Sequence, residues 1–444
     1  MKIIILSILL IINKSYIILP FKTLINETQL KKDFISSKFY NDIYVNIKVG
    51  SNEQEIPIQI RLHSYSFYII NDLYNGEYNI IKYESSNSKT YESIKKLTSY
   101  YSDDFTKGSI CTEHFNFNNL KIKNLTFISA DSIVKFRHIT QSGVIGLNLK
   151  QNNKKLVEEG NLLNELNKLN IIKKEIFSIN YINDNEGYLI IGEELHNTKE
   201  SNYTENSYKL YKLHYDYFNN EWEINFDLFK FNNEKKEFAI NCIFYPEINV
   251  IISYSGFLKI VEKFFKKYEK ICSKKYFYIV DNYENYLQIS YDYFVCENEF
   301  NEKEFPSLYF ENKKLNFTYE MNYKDIWTEY NGNKYLLIVF PENDINNINF
   351  ILGKPFFRKY DFSFDIKNKF IYAYDINSPR YNKKWNIFWN HIKFCIIIFT
   401  ILIIILGIYA YNIKLKVPRK KRIYEIEDNF VYLPSENKNI KLLN

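Results

Sequence analysis

The sequence predicts an all-β body built from two similar halves and followed by one membrane-spanning helix. Three observations carry this reading. Short alternating or aromatic-rich segments, separated by Asn, Asp and Lys turns, fill the chain from Ile43 to Tyr374. A polar–apolar–Gly pattern occurs twice, as SGVIGLNL at 142–149 and as NFILGKPFF at 349–357. Residues 394–413, FCIIIFTILIIILGIYAYNI, run without a single charge.

In chain order, residues 1–20 (MKIIILSILLIINKSYIILP) open with Lys2 and an apolar run from Ile3 to Ile12, the pattern of a secretory signal peptide. An uncleaved amphipathic anchor is the alternative. Strands are expected over Ile43–Val49, Phe115–Phe127, Phe177–Tyr181, Gly187–Gly192, Trp222–Phe229, Leu308–Phe317, Tyr335–Val339 and Phe362–Tyr374. Helical periodicity is confined to 152–171 and 256–271. The two halves, 36–200 and 201–378, read as a duplicated β domain joined by a sheet that includes Gly187–Gly192. Residues 394–413 span roughly 30 Å at about 1.5 Å per residue, enough for the hydrocarbon core. Trp385 and Trp389 precede this run at interfacial positions. Lys414, Lys416, Arg419, Lys420, Lys421 and Arg422 follow it, which places the tail 414–444 in the cytosol. The expected topology is single-pass type I in the secretory pathway or at the cell surface, with residues 21–393 lumenal or extracellular.

The formal net charge of +6 is concentrated in that tail, so no nucleic-acid partner is expected. Cys395 lies in the apolar run. Cys111, Cys242, Cys272 and Cys296 fall in the part expected to face an oxidising compartment. No CxxC spacing occurs and only six His are present, so neither a metal site nor a cofactor is expected. N-x-S/T sequons make Asn26, Asn124, Asn202 and Asn316 glycosylation candidates. Heavy use of Asn, Lys, Ile and Tyr reads as codon bias, and no Asn-rich stretch is taken as a functional segment.

VGSNEQEIPIQIRLHSYSFYII, Val49 to Ile70, alternates with Ile56, Ile58 and Ile60 on one side, and then breaks at Arg61-Leu62-His63-Ser64. A turn there would ordinarily carry Gly, Asn or Asp. This stretch is similar, without a gap, to Ile-Gly-Thr-Pro-x-Gln…Phe-Asp-Thr-Gly-Ser-Ser-x-Leu-Trp-Val of the pepsin-like aspartic proteases. FILGKPFFRKYDFSFDIKNKFIYAYDI, 350–376, resembles that family's last strand segment, with Lys354 where Asp is usual. SGVIGLNL resembles Asp-Gly-Ile-Leu-Gly-Leu of its first lobe. IIKKEIFSINYIND…GYLIIGEE resembles the strand pair closing that lobe. Tyr101 with GSICTEHFNFNNL resembles the flap and the strand after it. The resemblance runs in order over about residues 38–378 and implies a bilobal all-β, double-barrel fold. With the C-terminal anchor, the layout is similar to membrane-bound plasmepsins.

The same resemblance places Arg61 on the first catalytic aspartate and Leu62 and His63 on the Thr and Gly after it. CIFYPEINVIISYSGFLKI, 242–260, places the second aspartate on Tyr245, with Pro246 or Glu247 as the alternatives. No catalytic residue is therefore assigned. Arg61 is read as an ordinary charged loop residue or, more sharply, as half of an Arg61–Glu247 ion pair bridging the lobes. Tyr101 is the flap position or a plain hairpin aromatic. The resemblance also implies a Cys272–Cys296 disulfide, worth roughly 3 kcal/mol in the chain-entropy model. Cys111 and Cys242 have no family partner and are expected unbridged. The expected function is that of a membrane-tethered, catalytically inactive homologue that holds a protein or peptide partner. The alternatives are an active membrane-anchored aspartic endopeptidase and an adhesion ectodomain.

Overall fold

The computed structural model describes residues 16–24, 34–39, 42–74, 80–98, 105–133, 141–149, 158–196, 208–212, 222–232, 234–236, 240–281, 287–313, 316–342, 349–374, 400–401 and 404–409. The first half contains strands β1 Ile17–Leu24, β2 Asp42–Val49, β3 Gln54–Arg61, β4 Phe67–Ile70 and β5 Glu92–Thr98. It continues with β6 Phe105–Phe117, β7 Leu120–Ile133, β8 Gly143–Gly146, β9 Ile176–Tyr181 and β10 Glu186–Ile191. Its helices are α1 Phe34–Phe39 and α2 Leu162–Lys168. The second half contains β11 Tyr208–Lys212, β12 Glu223–Phe226, β13 Leu228–Phe231, β14 Glu234–Lys236, β15 Ile240–Phe244, β16 Ile251–Ser253, β17 Cys272–Asp281 and β18 Leu287–Glu297. Then come β19 Leu308–Asn312, β20 Phe317–Met321, β21 Trp327–Tyr330, β22 Asn333–Leu336, β23 Ile338–Pro341, β24 Phe350–Leu352, β25 Phe362–Asp365 and β26 Phe370–Tyr374. Its helices are α3 Ser255–Phe265, α4 Tyr323–Ile326 and α5 Lys354–Lys359.

The duplication read from the sequence is present in the topology. In the first half the sheet runs β3-β8-β4-β7, with β3 parallel to β8, β8 antiparallel to β4, and β4 parallel to β7. In the second half the order is β15-β24-β16-β23, with the same sequence of parallel and antiparallel neighbours. The repeated Gly pattern occupies β8 and β24, the strand that splits each turn-linked pair. Ile56, Ile58 and Ile60 of β3 are all fully buried, as the alternation requires.

The two halves share one sheet. Strands β11-β26-β25 continue into β9-β10-β1, and Ser363 stands opposite Ser178 at the junction. Their hydroxyls lie 2.6 Å apart. Phe177 and Phe364 stack beneath this junction at 5.0 Å, and Trp222 meets both rings edge-on while its indole N–H donates to the Leu147 carbonyl at 2.8 Å. Aromatic rings thus fill the space where the halves join, and their indole and hydroxyl groups stay satisfied.

Several expected elements are corrected. Phe115–Phe127 is not one strand: Asn118 and Asn119, both with positive φ, turn β6 into β7. Asn tolerates that left-handed backbone, which a two-residue hairpin turn requires at both central positions. Trp222–Phe229, Leu308–Phe317, Tyr335–Val339 and Phe362–Tyr374 are each divided between two strands as well: β12 and β13 part at Asp227, β19 and β20 beyond Asn312, β22 and β23 at Leu337, and β25 and β26 beyond Asp365. The helix expected over 152–171 is α2, preceded by a 3-10 turn at Glu158–Gly160, and residues 150–157 lie outside the described residues. The helix at 256–271 is α3 plus a 3-10 turn at Lys266–Tyr268; it buries Phe257, Val261 and Phe265, one per turn.

Residues 1–15 of the expected leader lie outside the described residues, and its last residues belong to β1. Ile17 to Lys22 pair with β10, and Ile17, Leu19 and Phe21 are buried in the core. Residues 17–20 make up half of β1 within the shared sheet. Residues 1–378 form one compact unit and residues 379–444 a second. Within the second unit, residues 404–409 are helical with exposed apolar side chains, and among the described residues no helix is long and apolar enough to cross a membrane. Most of 394–413, with Cys395, Trp385, Trp389 and the tail, lies outside the described residues.

The expected disulfide is formed: Cys272 and Cys296 face each other across β17 and β18 with Cα atoms 4.0 Å apart. Cys111 and Cys242 are free and buried, and burial pushes both thiols up, which keeps them protonated and unreactive.

Candidate functional site

Two turns face each other where the halves meet. The first, Leu62–Ser66, follows β3; the second, Tyr245–Val250, links β15 to β16. Each turn rests on a glycine. A Cβ on Gly146 would stand 2.5 Å from the Tyr65 carbonyl carbon, and one on Gly353 would stand 2.1 Å from the Val250 carbonyl oxygen. No side chain fits there, which explains why the Gly of the repeated pattern is retained in both halves.

Ladder register fixes the correspondence of the two turns. Arg61 pairs with Gly146, and Phe244 pairs with Leu352, so the next residues along each ladder are Tyr245 and Gly353. The same number of residues separates Arg61 from the start of β4 as separates Tyr245 from the start of β16. Arg61 and Tyr245 thus occupy matching places, and so do His63 and Glu247, each two residues further on.

Those last two side chains touch. His63 Nδ1 lies 2.7 Å from Glu247 Oε1, and the same oxygen accepts the Leu62 N–H at 3.1 Å. Glu247 is 6% exposed, so its carboxylate is held between the halves rather than offered to solvent. The bridge between halves is therefore Glu247 with His63, not Glu247 with Arg61. Arg61 is 4% exposed and turns the other way: its Nη2 donates to Gln59 Oε1 at 2.9 Å, and Gln59 in turn donates to Asp42 at 2.6 Å. The reason is geometric. Residues two apart on a strand share a face, so Arg61 reaches Gln59 along β3.

The neighbouring residues brace this contact. Tyr181 donates its hydroxyl to the Pro246 carbonyl at 2.8 Å. The His63 and Tyr245 rings lie 5.6 Å apart. Lys354, in the place where Asp was expected from the resemblance, is buried; its N–H donates to the Ile248 carbonyl at 2.7 Å, and its ammonium donates to the Asp184 carbonyl. Pro246 has only its carbonyl in this network.

Among the described residues no group of three His, Cys, Asp or Glu side chains gathers to hold a metal. Tyr101 lies outside the described residues, as do Asn26 and Asn202; β5 and β6, on either side of Tyr101, form a hairpin pair. Asn124 and Asn316 are exposed, each with positive φ. The His63–Glu247 contact is the part of the site that residue-by-residue comparison overlooked. The signal was available: both lie the same distance beyond the two matching positions.

Comparison with known families agrees with this architecture. The family model described as eukaryotic aspartyl protease matches residues 42–373, from the first residue of β2 to the penultimate residue of β26. The chain belongs to that family. No curated protein sequence matches it.

Proposed function

We propose that the chain is a non-catalytic member of the aspartyl protease family that holds a protein or peptide partner while tethered to a secretory-pathway or cell-surface membrane. One observation carries the reading: the two matching strand-end positions hold Arg61 and Tyr245, and neither is a carboxylate. Aspartic proteolysis needs two carboxyl groups sharing one proton, one acting as base toward water and the other as acid toward the carbonyl. A guanidinium stays charged and cannot take that proton, and a phenol is a poor substitute for a carboxylate. Glu247 supplies one carboxylate, but His63 and Leu62 already occupy Oε1. The tether rests on the apolar run 394–413 and the six cations after it.

The test uses the full-length protein in detergent, incubated with denatured protein substrate at pH 4–7. No cleavage above background is expected. Pepstatin-sensitive cleavage by the purified chain would establish the alternative, an active membrane-anchored endopeptidase. Affinity purification from the native membrane, compared with a Glu247→Ala variant, would then identify what the protein holds.

A further inference from the structure

Strand β17 has a partner on one side only. It pairs with β18 over its whole length, from Cys272 opposite Cys296 to Asp281 opposite Leu287, without a register shift. Beyond β18 the sheet continues into β22 and β23, whereas among the described residues no strand joins β17 on its other side. One face of the strand is closed. Phe277 and Ile279 are buried there, and α1 is seated against them through Phe39, whose ring lies 5.6 Å from that of Phe277. The other face is open: Tyr276 is 62% and Tyr278 50% exposed, and their rings meet edge to face at 5.3 Å.

The ladder fixes which backbone groups look outward. In an antiparallel pair, opposite residues that do not bond each other approach more closely, with Cα atoms about 4.5 Å rather than about 5.5 Å apart. Cys272 and Cys296 stand 4.0 Å apart and so form such a pair. Every second residue of β17 behaves alike, so Lys274, Tyr276, Tyr278 and Val280 turn their N–H and C=O away from β18. A bond on the far side agrees: Ser290, opposite Tyr278, gives its carbonyl to the Glu342 N–H at 3.0 Å, away from β17. The residues with exposed tyrosine rings are therefore also the ones whose backbone groups face the open edge. Such an edge is a template for another strand. Charge does not close it at Lys274, whose ammonium is held by Glu262 of α3 at 2.8 Å and by Asp292 at 3.2 Å.

We propose that β17 is a dimerisation edge, to which the same strand of a second copy of this chain adds antiparallel about a two-fold axis at Phe277. The strand's own sequence argues for this occupant. A two-fold at Phe277 sets Tyr276 of each copy opposite Tyr278 of the other, so outward backbone groups meet outward backbone groups. Four tyrosine rings then continue the edge-to-face row along one face of a joined sheet, as cross-strand aromatic pairs do. Lys274 stands opposite position 280 and Lys275 opposite Ile279, so no like charges are opposed. Moving the axis to Lys274 or Lys275 would set lysine against lysine, which disfavours those registers. The pairing is independent of whether the chain cuts peptides.

The test is sedimentation equilibrium of the full-length protein in detergent. The unaltered chain is expected to be a dimer. Tyr276→Lys/Tyr278→Lys opposes like charges across the axis at exposed positions; it is expected to raise the dimer dissociation constant at least tenfold with unchanged circular dichroism. Tyr276→Phe/Tyr278→Phe is expected to keep the dimer. A second readout does not depend on the lysine variant. Position 276 of one copy lies diagonally across the joint from position 276 of the other, about 7–8 Å away. Tyr276→Cys treated with a short bifunctional thiol reagent should therefore give a covalent dimer that the unaltered protein does not. A monomeric unaltered chain would overturn the proposal. So would a dimer that resists the lysine pair, or a Tyr276→Cys protein that the reagent leaves unlinked.

Discussion

At the scale of single residues, the contact that matters most is Glu247 with His63 and the Leu62 N–H. Replacing Glu247 by Ala leaves a buried N–H and an imidazole without their acceptor, which should cost about 2 kcal/mol. Urea denaturation would register this as a lower midpoint with an unchanged slope. Glu247→Gln keeps an oxygen facing Leu62 and should cost clearly less than the alanine. Arg61→Asp should not create a peptidase, because Tyr245 still occupies the matching position; cleavage assayed at pH 4–7 should stay at background. Sequence comparison located Arg61, because the strand before it and the apolar run after it align without a gap. It could not show where the guanidinium points. That depends on Gln59 and Asp42, which share its face of the sheet only once β2 and β3 pair.

At the scale of elements, the turn-and-glycine unit used twice makes a sharp prediction. Gly353→Ala would place a methyl against the Val250 and Ile248 carbonyls and should destabilise the protein by more than about 3 kcal/mol or prevent its folding. Gly332→Ala, with nothing near its Cβ but a positive φ, should be milder; soluble yield and thermal midpoint compare the two. Cys272→Ser/Cys296→Ser should lower stability by roughly 3 kcal/mol, since the closed loop no longer restricts the unfolded chain. Long alternating runs were legible as β structure, whereas their division was not. Asn118-Asn119 and Asp227 interrupt runs that look continuous because aromatic residues persist on both sides. The seat of α1 was not legible at all, since a six-residue helix carries no periodicity and its partners lie more than 200 residues away.

At the scale of the whole molecule, buried tyrosines set the alkaline limit. Burial pushes the phenols of Tyr319 and Tyr374 well above their ordinary value near 10. Above that pH the unfolded chain loses these protons while the folded chain keeps them, so stability present below pH 10 falls as pH rises. The loss approaches about 1.4 kcal/mol per pH unit for each phenol. Denaturation midpoints measured between pH 9 and 11.5 should fall accordingly, and Tyr319→Phe should flatten the slope. The bilobal plan was legible from the echo of SGVIGLNL in NFILGKPFF, because a duplicated unit repeats its glycine. The shared sheet also has a consequence for how the chain is made. Strands β9 and β10 emerge from the ribosome long before β25 and β26, yet β9 has β25 as its neighbour on the side away from β10. Until residue 374 has been synthesised, the nascent first half carries an open strand edge at β9. The first half therefore cannot complete its sheet by itself and waits for the end of the second, and a truncation anywhere before β25 should yield an aggregating fragment instead of an independent lobe.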